Sequence, residues 1–140
     1  MDDWKPQVIV LGYDGTAGSE RAAALAAALA QTYGASMVVA TAFRPFPRIT
    51  EPTDKDALEI ERARTVAESK AEELRALGIE VRISDLEGPA DQAILNSAEA
   101  WKADLIVLGS RGHGPLAGLL LGSISQSVAH HATVPVLIAR

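Results

Sequence analysis

The sequence lacks cysteine altogether, has little aromatic content and carries fewer basic than acidic side chains. Without cysteine, disulfide bonds, thiol nucleophiles and thiolate metal ligands are excluded. The 13 lysines and arginines are outnumbered by 18 aspartates and glutamates, and the net charge of -5 gives no general electrostatic basis for binding nucleic acid. No apolar run approaches the roughly 18 residues of a membrane-spanning helix. We therefore expect a cytoplasmic protein that has neither nucleic acid nor a membrane as a partner.

What the sequence does contain is a regular alternation of strand and helix patterns. Its 140 residues, 48% of them hydrophobic, suffice for one core and predict a single domain over 1–140. The predicted strands cover residues 7–15, 36–43, 79–85, 104–109 and 134–139, and apolar residues at helical spacing predict a helix between each pair. This pattern predicts a Rossmann-like α/β fold, a doubly wound, five-stranded parallel sheet in the order 3-2-1-4-5 with helices on both faces.

Two further patterns concern packing. Glu61 and Arg64, and likewise Glu72 and Arg75, are spaced three residues apart in the long second helix, and we interpret them as ion pairs on its solvated face. Trp101 falls on the apolar stripe of the third helix, and we interpret it as a packing residue.

Ligands of doubly wound sheets bind outside the carboxyl ends of the strands, where the strand order reverses. In the predicted order two loops meet there. The first is GYDGT, residues 12–16, after the first strand, and the second is a glycine-rich loop after the fourth strand. These two loops are therefore the candidate binding site.

The glycine-rich loop has the composition of a phosphate site. Gly109 and Gly112 allow a tight turn without a Cβ in the way of a ligand. Gly122 and Ser123 open a helix whose N–H groups favour a phosphate, and the hydroxyls of Ser123 and Ser125 are additional donors. The alternative is that the glycines only let the loop turn and that Ser123 only caps the helix.

Asp14 ends the first predicted strand beside the same crevice. Its carboxylate can accept hydrogen bonds from the hydroxyls of a ribose, as acidic residues do in dinucleotide sites. It can equally form an Asx-turn with Gly15 and Thr16. The residues alone leave both interpretations open.

Together these motifs resemble the universal stress protein family, in particular its ATP-binding branch. The resemblance rests on the spacing Gly109-x2-Gly112-x9-Gly122-Ser123 after an apolar strand, with GYDGT near one end and VPVLIAR at the other. It implies that the glycine motif holds phosphates, that the aspartate contacts the ribose and that a residue late in the second strand lies beside the adenine. The implied contacts are Gly109, Gly112, Gly122 and Ser123 for phosphate, Asp14 for ribose, Ala42 for adenine, and Ile124 and Ser125 as further contacts.

Two more side chains of the glycine loop are candidates. Arg111 lies where a guanidinium can approach a triphosphate, although a loop arginine can also stay solvated. His113 can donate to a phosphate or be a polar loop residue without a function. We include Arg111 among the candidate nucleotide contacts and assign no metal ligand.

Two rival classes do not fit the residues. A P-loop nucleotidase needs Gly-Lys-Ser or Gly-Lys-Thr, and no lysine stands between Gly122 and Ser123. A phosphoacceptor receiver domain resembles this fold, but it has an acidic pair after the first strand, an aspartate after the third and a lysine near the last. Here only Asp14 and Asp85 stand at the first two places, and the last strand has no lysine.

The resemblance implies ATP as the ligand, with AMP as an alternative and with Mg²⁺ bridging the phosphates. No residue stands out as a general base, so we expect hydrolysis to be slow at most. The last strand is an apolar edge, and the resemblance implies a homodimer formed through Val134 to Ala139, with Pro135 placed where the ladder needs no N–H.

We therefore expect a homodimeric stress-response or signalling module that binds an adenine nucleotide. Two alternatives remain open. One is a nucleotide-free interaction module of the same fold, and the other is a slow ATP hydrolase or AMP sensor.

Overall fold

Five parallel strands and four helices alternate along the chain. The computed structural model describes residues 3–43, 54–110 and 121–140, without the side chains of residues 54–56. The elements are β1 (Val8–Gly12), α1 (Ala17–Tyr33), β2 (Ser36–Phe43), α2 (Asp54–Ala76), β3 (Val81–Glu87), α3 (Ala90–Ala100), β4 (Leu105–Gly109), α4 (Ser123–His131) and β5 (Val136–Ala139). All strand pairs are parallel, in the order β3-β2-β1-β4-β5. The predicted fold class and strand order are confirmed.

The central strands contribute side chains to two cores, one on each face of the sheet. Ile9 and Leu11 of β1 pack with α1 and α2, whereas Val10, which lies between them, packs with α3 and α4. Successive strand residues point to opposite faces, so a strand covered on both faces needs an apolar residue at every position. This explains why β1 and β4 have continuous apolar sequences.

Helix α1 begins and ends at the residues that carry capping signals. The Thr16 hydroxyl oxygen accepts a hydrogen bond from the N–H of Ser19 at 3.3 Å, and Gly34 ends the helix with φ 70°. Ala22 and Ala26 are fully buried, and these small side chains allow α1 to approach the sheet closely. The start of α1 is therefore held rigidly at the carboxyl end of β1.

The two packing predictions had mixed outcomes. Arg75 forms its ion pair with Glu72 at 3.1 Å, but Arg64 pairs with Asp85 of β3 at 3.0 Å and not with Glu61. Helix α2 packs against β2 and β3, which brings Arg64 to the edge of the sheet. Trp101 was wrongly predicted as a packing residue: it follows α3, is 39% exposed and lies 5.7 Å from the guanidinium of Arg82.

Candidate functional site

A crevice opens at the carboxyl ends of β1, β2 and β4, where the strand order reverses. Its enclosed volume is about 100 Å³, and about 580 Å³ when the space at its open mouth is counted. Its lining comes from six elements and the loop after β1: Gly12, Tyr13, Asp14, Thr16, Ser19, Ala40, Thr41, Ala42, Ala90, Ile94, Leu108, Gly109, Ile124 and Ser125. The lining includes five predicted site residues: Asp14, Ala42, Gly109, Ile124 and Ser125. Two more, Gly122 and Ser123, stand at the start of α4, directly before Ile124.

The loop after β1 is held in shape by Asp14. The Asp14 Oδ1 accepts hydrogen bonds from the N–H of Thr16 at 3.0 Å and from its hydroxyl at 2.6 Å. Gly15, between them, has φ 82°, a conformation that favours glycine. The Asx-turn is therefore present. Hydrogen bonds to the described residues use only Oδ1, so the Asx-turn is compatible with a second role for Oδ2.

The amino terminus of α4 faces the crevice without a side-chain cap. Gly122 is the N-cap residue and has no side chain that could accept a hydrogen bond, so the alternative in which Ser123 caps the helix is wrong. The first bond within the helix runs from the N–H of Gln126 to Gly122 O at 3.0 Å. The N–H groups of residues 123–125 therefore have no acceptor within the described ranges, and the first turn has no acidic residue. Such a helix terminus is suited to an anion.

Ser125 ties the start of α4 to the end of β4. Its hydroxyl donates to Gly109 O at 2.7 Å and lies 3.1 Å from Ser110 O. The Ser110 carbonyl also accepts the N–H of Gly122 at 2.6 Å. Because a hydroxyl carries one proton, Ser125 uses it on the main chain, and the group it presents to an anion is its N–H.

Gly109 is needed for packing, which differs from the reason predicted. A Cβ at Gly109 would lie 2.7 Å from the carbonyl carbon of Gly18 and 2.8 Å from its oxygen. Glycine at this position therefore lets β4 approach the backbone of α1, and it does not chiefly clear space for a ligand. A Cβ at Gly12 would lie 2.8 Å from the Cδ1 and 3.3 Å from the Cγ1 of Ile94, a flexible side chain, and in ordinary contact with the Cβ of Leu108 at 3.5 Å.

The opposite wall of the crevice is formed by the end of β2 and by α3. Ala42 is half-buried there, next to the buried Thr41. Ile94 of α3 and Leu108 of β4 add the apolar surface that an alanine cannot provide. Sequence reasoning did not identify Thr41 or Ile94 as site residues, because their places in the crevice depend on where β2 ends in the sheet and on how α3 packs across it.

Tyr13 forms the back of the crevice and was not singled out from the sequence. It is 8% exposed, and its hydroxyl donates to a carboxylate oxygen of Glu20 in the first turn of α1. Burial, followed by the hydrogen bond to Glu20, raises the pKa of Tyr13 to about 12, against the opposing effect of the Lys70 ammonium. The phenol is therefore neutral at physiological pH.

Two predicted contacts and one undecided residue lie outside the described residues. These are Arg111, Gly112 and His113, within 111–120. Their proposed proximity to phosphate stays a prediction.

Three further observations concern metal ligands, membrane-spanning helices and Asp85. Within residues 3–43, 54–110 and 121–140, no three histidine, aspartate or glutamate side chains are grouped so as to hold a metal ion. Across the same part of the chain, no helix has both the length and the apolar character needed to cross a membrane. Asp85, the aspartate that a receiver domain would use, lies within β3 and is paired with Arg64.

Comparison with known proteins identifies the family. The model of the universal stress protein family matches residues 6–140. The chain belongs to the universal stress protein family. A universal stress protein of Thermus aquaticus is 42% identical over 138 residues, which cover 96% of this chain and 98% of the relative. A Mycobacterium tuberculosis (strain ATCC 25618 / H37Rv) member is 35% identical over 141 residues; the match covers 94% of this chain but only 45% of that longer relative.

Solved universal stress proteins have the same fold. One, determined in complex with cAMP, is 28% identical with a TM-score of 0.73, and the match covers 98% of this chain and 99% of that one. Another, from Lactobacillus plantarum, has a TM-score of 0.83 at 18% identity and covers 99% of this chain and 100% of that one. The second likeness concerns the fold alone.

Proposed function

We propose that this universal stress protein binds an adenine nucleotide in the crevice, with the phosphates at the amino terminus of α4. The observation that carries the proposal is the first turn of α4, which has three N–H groups without an acceptor among the described residues, no side-chain cap and no acidic residue. Hydrogen bonds from N–H groups to a charged acceptor contribute about 1.5–3 kcal/mol each. A phosphate is the group in a nucleotide that benefits most from this arrangement.

The nucleoside is assigned to the rest of the crevice. The Asp14 carboxylate keeps its turn through Oδ1 and accepts a ribose hydroxyl through Oδ2. The adenine lies beside Ala42, against the apolar surface of Ile94 and Leu108. Gly109, Ile124 and Ser125 line the passage between the two ends, and Arg111 and Gly112 extend the phosphate site.

The residues present constrain how a divalent ion takes part. Among the described residues that line the crevice, Asp14 is the only carboxylate, and Mg²⁺ prefers octahedral oxygen ligands. An Mg²⁺ ion would therefore be held mainly by the phosphates and water. The described crevice offers no side chain placed as a general base for an attacking water, so we propose binding with slow hydrolysis at most.

The comparison with the cAMP complex supports an adenine nucleotide as the ligand. That universal stress protein shares 28% of its residues with this chain over nearly the full length of both. ATP is proposed as the ligand, and AMP is the alternative, because N–H groups donate hydrogen bonds to any phosphate that reaches them.

We further propose that two copies pair through β5 to form a stress-response or signalling module. The segment Val134 to Ala139 is apolar, and β5 has a described partner strand, β4, on one side only. The Pro135 carbonyl accepts from Ile106 of β4 at 3.0 Å, so the side of Pro135 that lacks an N–H faces β4. The outer edge, at Val134, Val136 and Ile138, thus keeps its N–H groups for a partner strand.

The nucleotide proposal is tested with protein purified without added nucleotide. The protein is denatured, released small molecules are identified by mass spectrometry, and refolded or nucleotide-free protein is titrated calorimetrically with ATP, AMP and cAMP, with and without Mg²⁺. We expect a released adenine nucleotide or saturable binding. Absence of both would contradict the proposal and favour the nucleotide-free interaction module.

An Asp14→Asn variant makes the ribose assignment testable in the same titration. Asparagine keeps the Oδ1 acceptor that Thr16 uses but replaces Oδ2 by a donor. We expect about tenfold weaker nucleotide binding with an unchanged melting temperature. Equal affinity in the variant and the native protein would remove Asp14 from the site.

A further inference from the structure

Four polar side chains form a cluster directly behind the crevice. This cluster, the Lys70 cluster, consists of Tyr13 after β1, Glu20 of α1, and Lys70 and Glu73 of α2. Lys70 is only 8% exposed. Its ammonium donates to the Glu20 Oε2 at 2.8 Å and to a carboxylate oxygen of Glu73.

The Lys70 cluster is connected to the crevice through Tyr13. The Tyr13 hydroxyl donates to the Oε1 of Glu20, so Tyr13 and Lys70 hold the two oxygens of one carboxylate. The Lys70 ammonium also lies 5.3 Å from the centre of the Tyr13 ring, within range of a cation–π interaction. Tyr13 lines the crevice and is followed immediately by Asp14. A continuous set of contacts therefore runs from α2 to the loop that carries Asp14.

Stability alone is a weak explanation for a lysine in this position. Burial by itself lowers the pKa of Lys70, but hydrogen bonds to Glu20 and Glu73 outweigh that effect and raise the pKa above its ordinary value. Lys70 therefore stays charged in a place where desolvation is costly, and well-packed apolar residues often stabilise such a position equally well. What a satisfied polar network does provide is one defined arrangement of its members.

We infer that Lys70 is a positioning residue for the nucleotide site: through Glu20 and Tyr13 it fixes the loop that carries Asp14. The inference rests on the proposed function. The Lys70 cluster reaches the nucleoside half of the crevice through Tyr13, and among the described residues none of its hydrogen bonds or ion pairs involves the first turn of α4. Its effect is therefore confined to ligands that contain a nucleoside.

The test compares two ligands in a Lys70→Met variant. ATP uses both halves of the site, whereas inorganic tripolyphosphate uses only the phosphate half. We expect the affinity for ATP to fall about fivefold or more, as for other energetically coupled sites, and the affinity for tripolyphosphate to stay unchanged. A variant that is merely less stable would lose affinity for both ligands by the same factor.

Arg75→Met is the matched control, because it removes one positive charge from the same helix. Arg75 pairs with the exposed Glu72 and donates to Val81 O at 2.8 Å, away from Tyr13. This variant should keep the ratio of the two affinities. Tyr13→Phe keeps the ring and removes the hydrogen bond to Glu20, and it should change the ratio in the same direction as Lys70→Met even if that variant folds poorly.

Hydrogen exchange at the amides of residues 14–16 gives a second readout that needs no ligand. It should be faster in Lys70→Met than in the native protein and unaltered in Arg75→Met. If the native protein binds ATP but Lys70→Met and Tyr13→Phe change neither the affinity ratio nor the exchange, the inference is overturned while the proposed function stands. If the native protein binds neither ligand, the proposed function fails first.

Discussion

The helices α1 and α4 both begin at the crevice, but their amino termini are built differently. At the start of α1, the Thr16 side chain caps the helix and Glu20 supplies a negative charge in the first turn. At the start of α4, the N-cap is Gly122, no side chain caps the helix and the first turn has no acidic residue. One positive helix end is neutralised from within the chain, and the other is left for a ligand.

The two termini therefore have different tasks: the start of α1 holds a loop, and the start of α4 is suited to an anion. The hydrogen bonds at α1 fix the turn that carries Asp14. At α4, the Gly122 N–H and the Ser125 hydroxyl donate to carbonyls at the end of β4 and after it, and they anchor the helix without using the N–H groups of residues 123–125 on other described residues. A crevice between one closed and one open helix terminus can direct a nucleotide in a single orientation, with its phosphates toward α4.

The largest effect on nucleotide binding is expected when the start of α4 receives a side-chain cap and a negative charge, as α1 has. Gly122 has φ −74° and ψ 168°, which any residue can adopt, so Gly122→Asp adds a cap and a negative charge without backbone strain. We expect nucleotide affinity to fall about 100-fold or more, with an equal or higher melting temperature. Titration calorimetry and thermal denaturation measure both quantities.

Gly122→Asn is the control for this change, because it caps the helix without the charge. It should weaken binding less than Gly122→Asp does. Unaltered affinity in Gly122→Asp would show that the phosphates bind elsewhere.

The next largest effect concerns the close contact between β4 and α1. In Gly109→Ala the new Cβ meets the main chain of Gly18, so β4 must move away from α1. We expect a loss of about 2 kcal/mol in the free energy of unfolding, measured with urea. In Gly12→Ala the tight contacts of the new Cβ are with the side chain of Ile94, which can move, so the loss should be clearly smaller. Equal losses in the two variants would contradict the close approach of β4 to α1.

A smaller effect on stability is expected when the side-chain cap of α1 is removed instead. Thr16→Ala removes the side-chain cap and the hydroxyl that donates to Asp14, which should cost about 1 kcal/mol of unfolding free energy. It should not create a second anion site, because Glu20 remains in the first turn. Calorimetric detection of two bound tripolyphosphates per chain would disprove that Glu20 keeps the start of α1 from binding an anion.

The last effect is absent at physiological pH and develops only in the alkaline range. The folded pKa of Tyr13, about 12, is above the value of an unfolded tyrosine, near 10. Its contribution to stability is therefore complete below pH 10 and is lost as the pH rises toward 12. The groups that face it are Glu20, Lys70 and Glu73. Between pH 10 and 12, the free energy of unfolding, measured with urea, should fall less in Tyr13→Phe than in the native protein. An equal fall in both proteins would contradict the prediction.

The fold could be predicted from the sequence because it depends on local patterns. Apolar runs and helical periodicity predicted the strands and helices. The right-handed crossover between parallel strands reduced the number of possible strand orders in the sheet. The start of α4 was predictable for the same reason, since Gly122 and Ser123 are adjacent to an apolar helix pattern. The Asx-turn at Asp14 was one of two open interpretations, and it too is a local feature.

Contacts between distant segments could not be predicted in this way. Glu20 and Lys70 are 50 residues apart, and their ion pair depends on how α1 and α2 pack on the sheet. The close approach of Gly109 to Gly18, and the pairing of Arg64 with Asp85, depend on the same packing. Sequence spacing identified Gly109 as special, but only the three-dimensional arrangement shows what the missing Cβ would touch.

The most direct test of the account is to follow the backbone amide resonances of Ser123, Ile124 and Ser125 by NMR while ATP is added. The account predicts saturable shifts of these three amides toward lower field, as they donate to phosphate, and the absence of such shifts in Gly122→Asp. Saturable binding of ATP that leaves the amides of residues 123–125 unperturbed would contradict the central claim that the open terminus of α4 holds the phosphates.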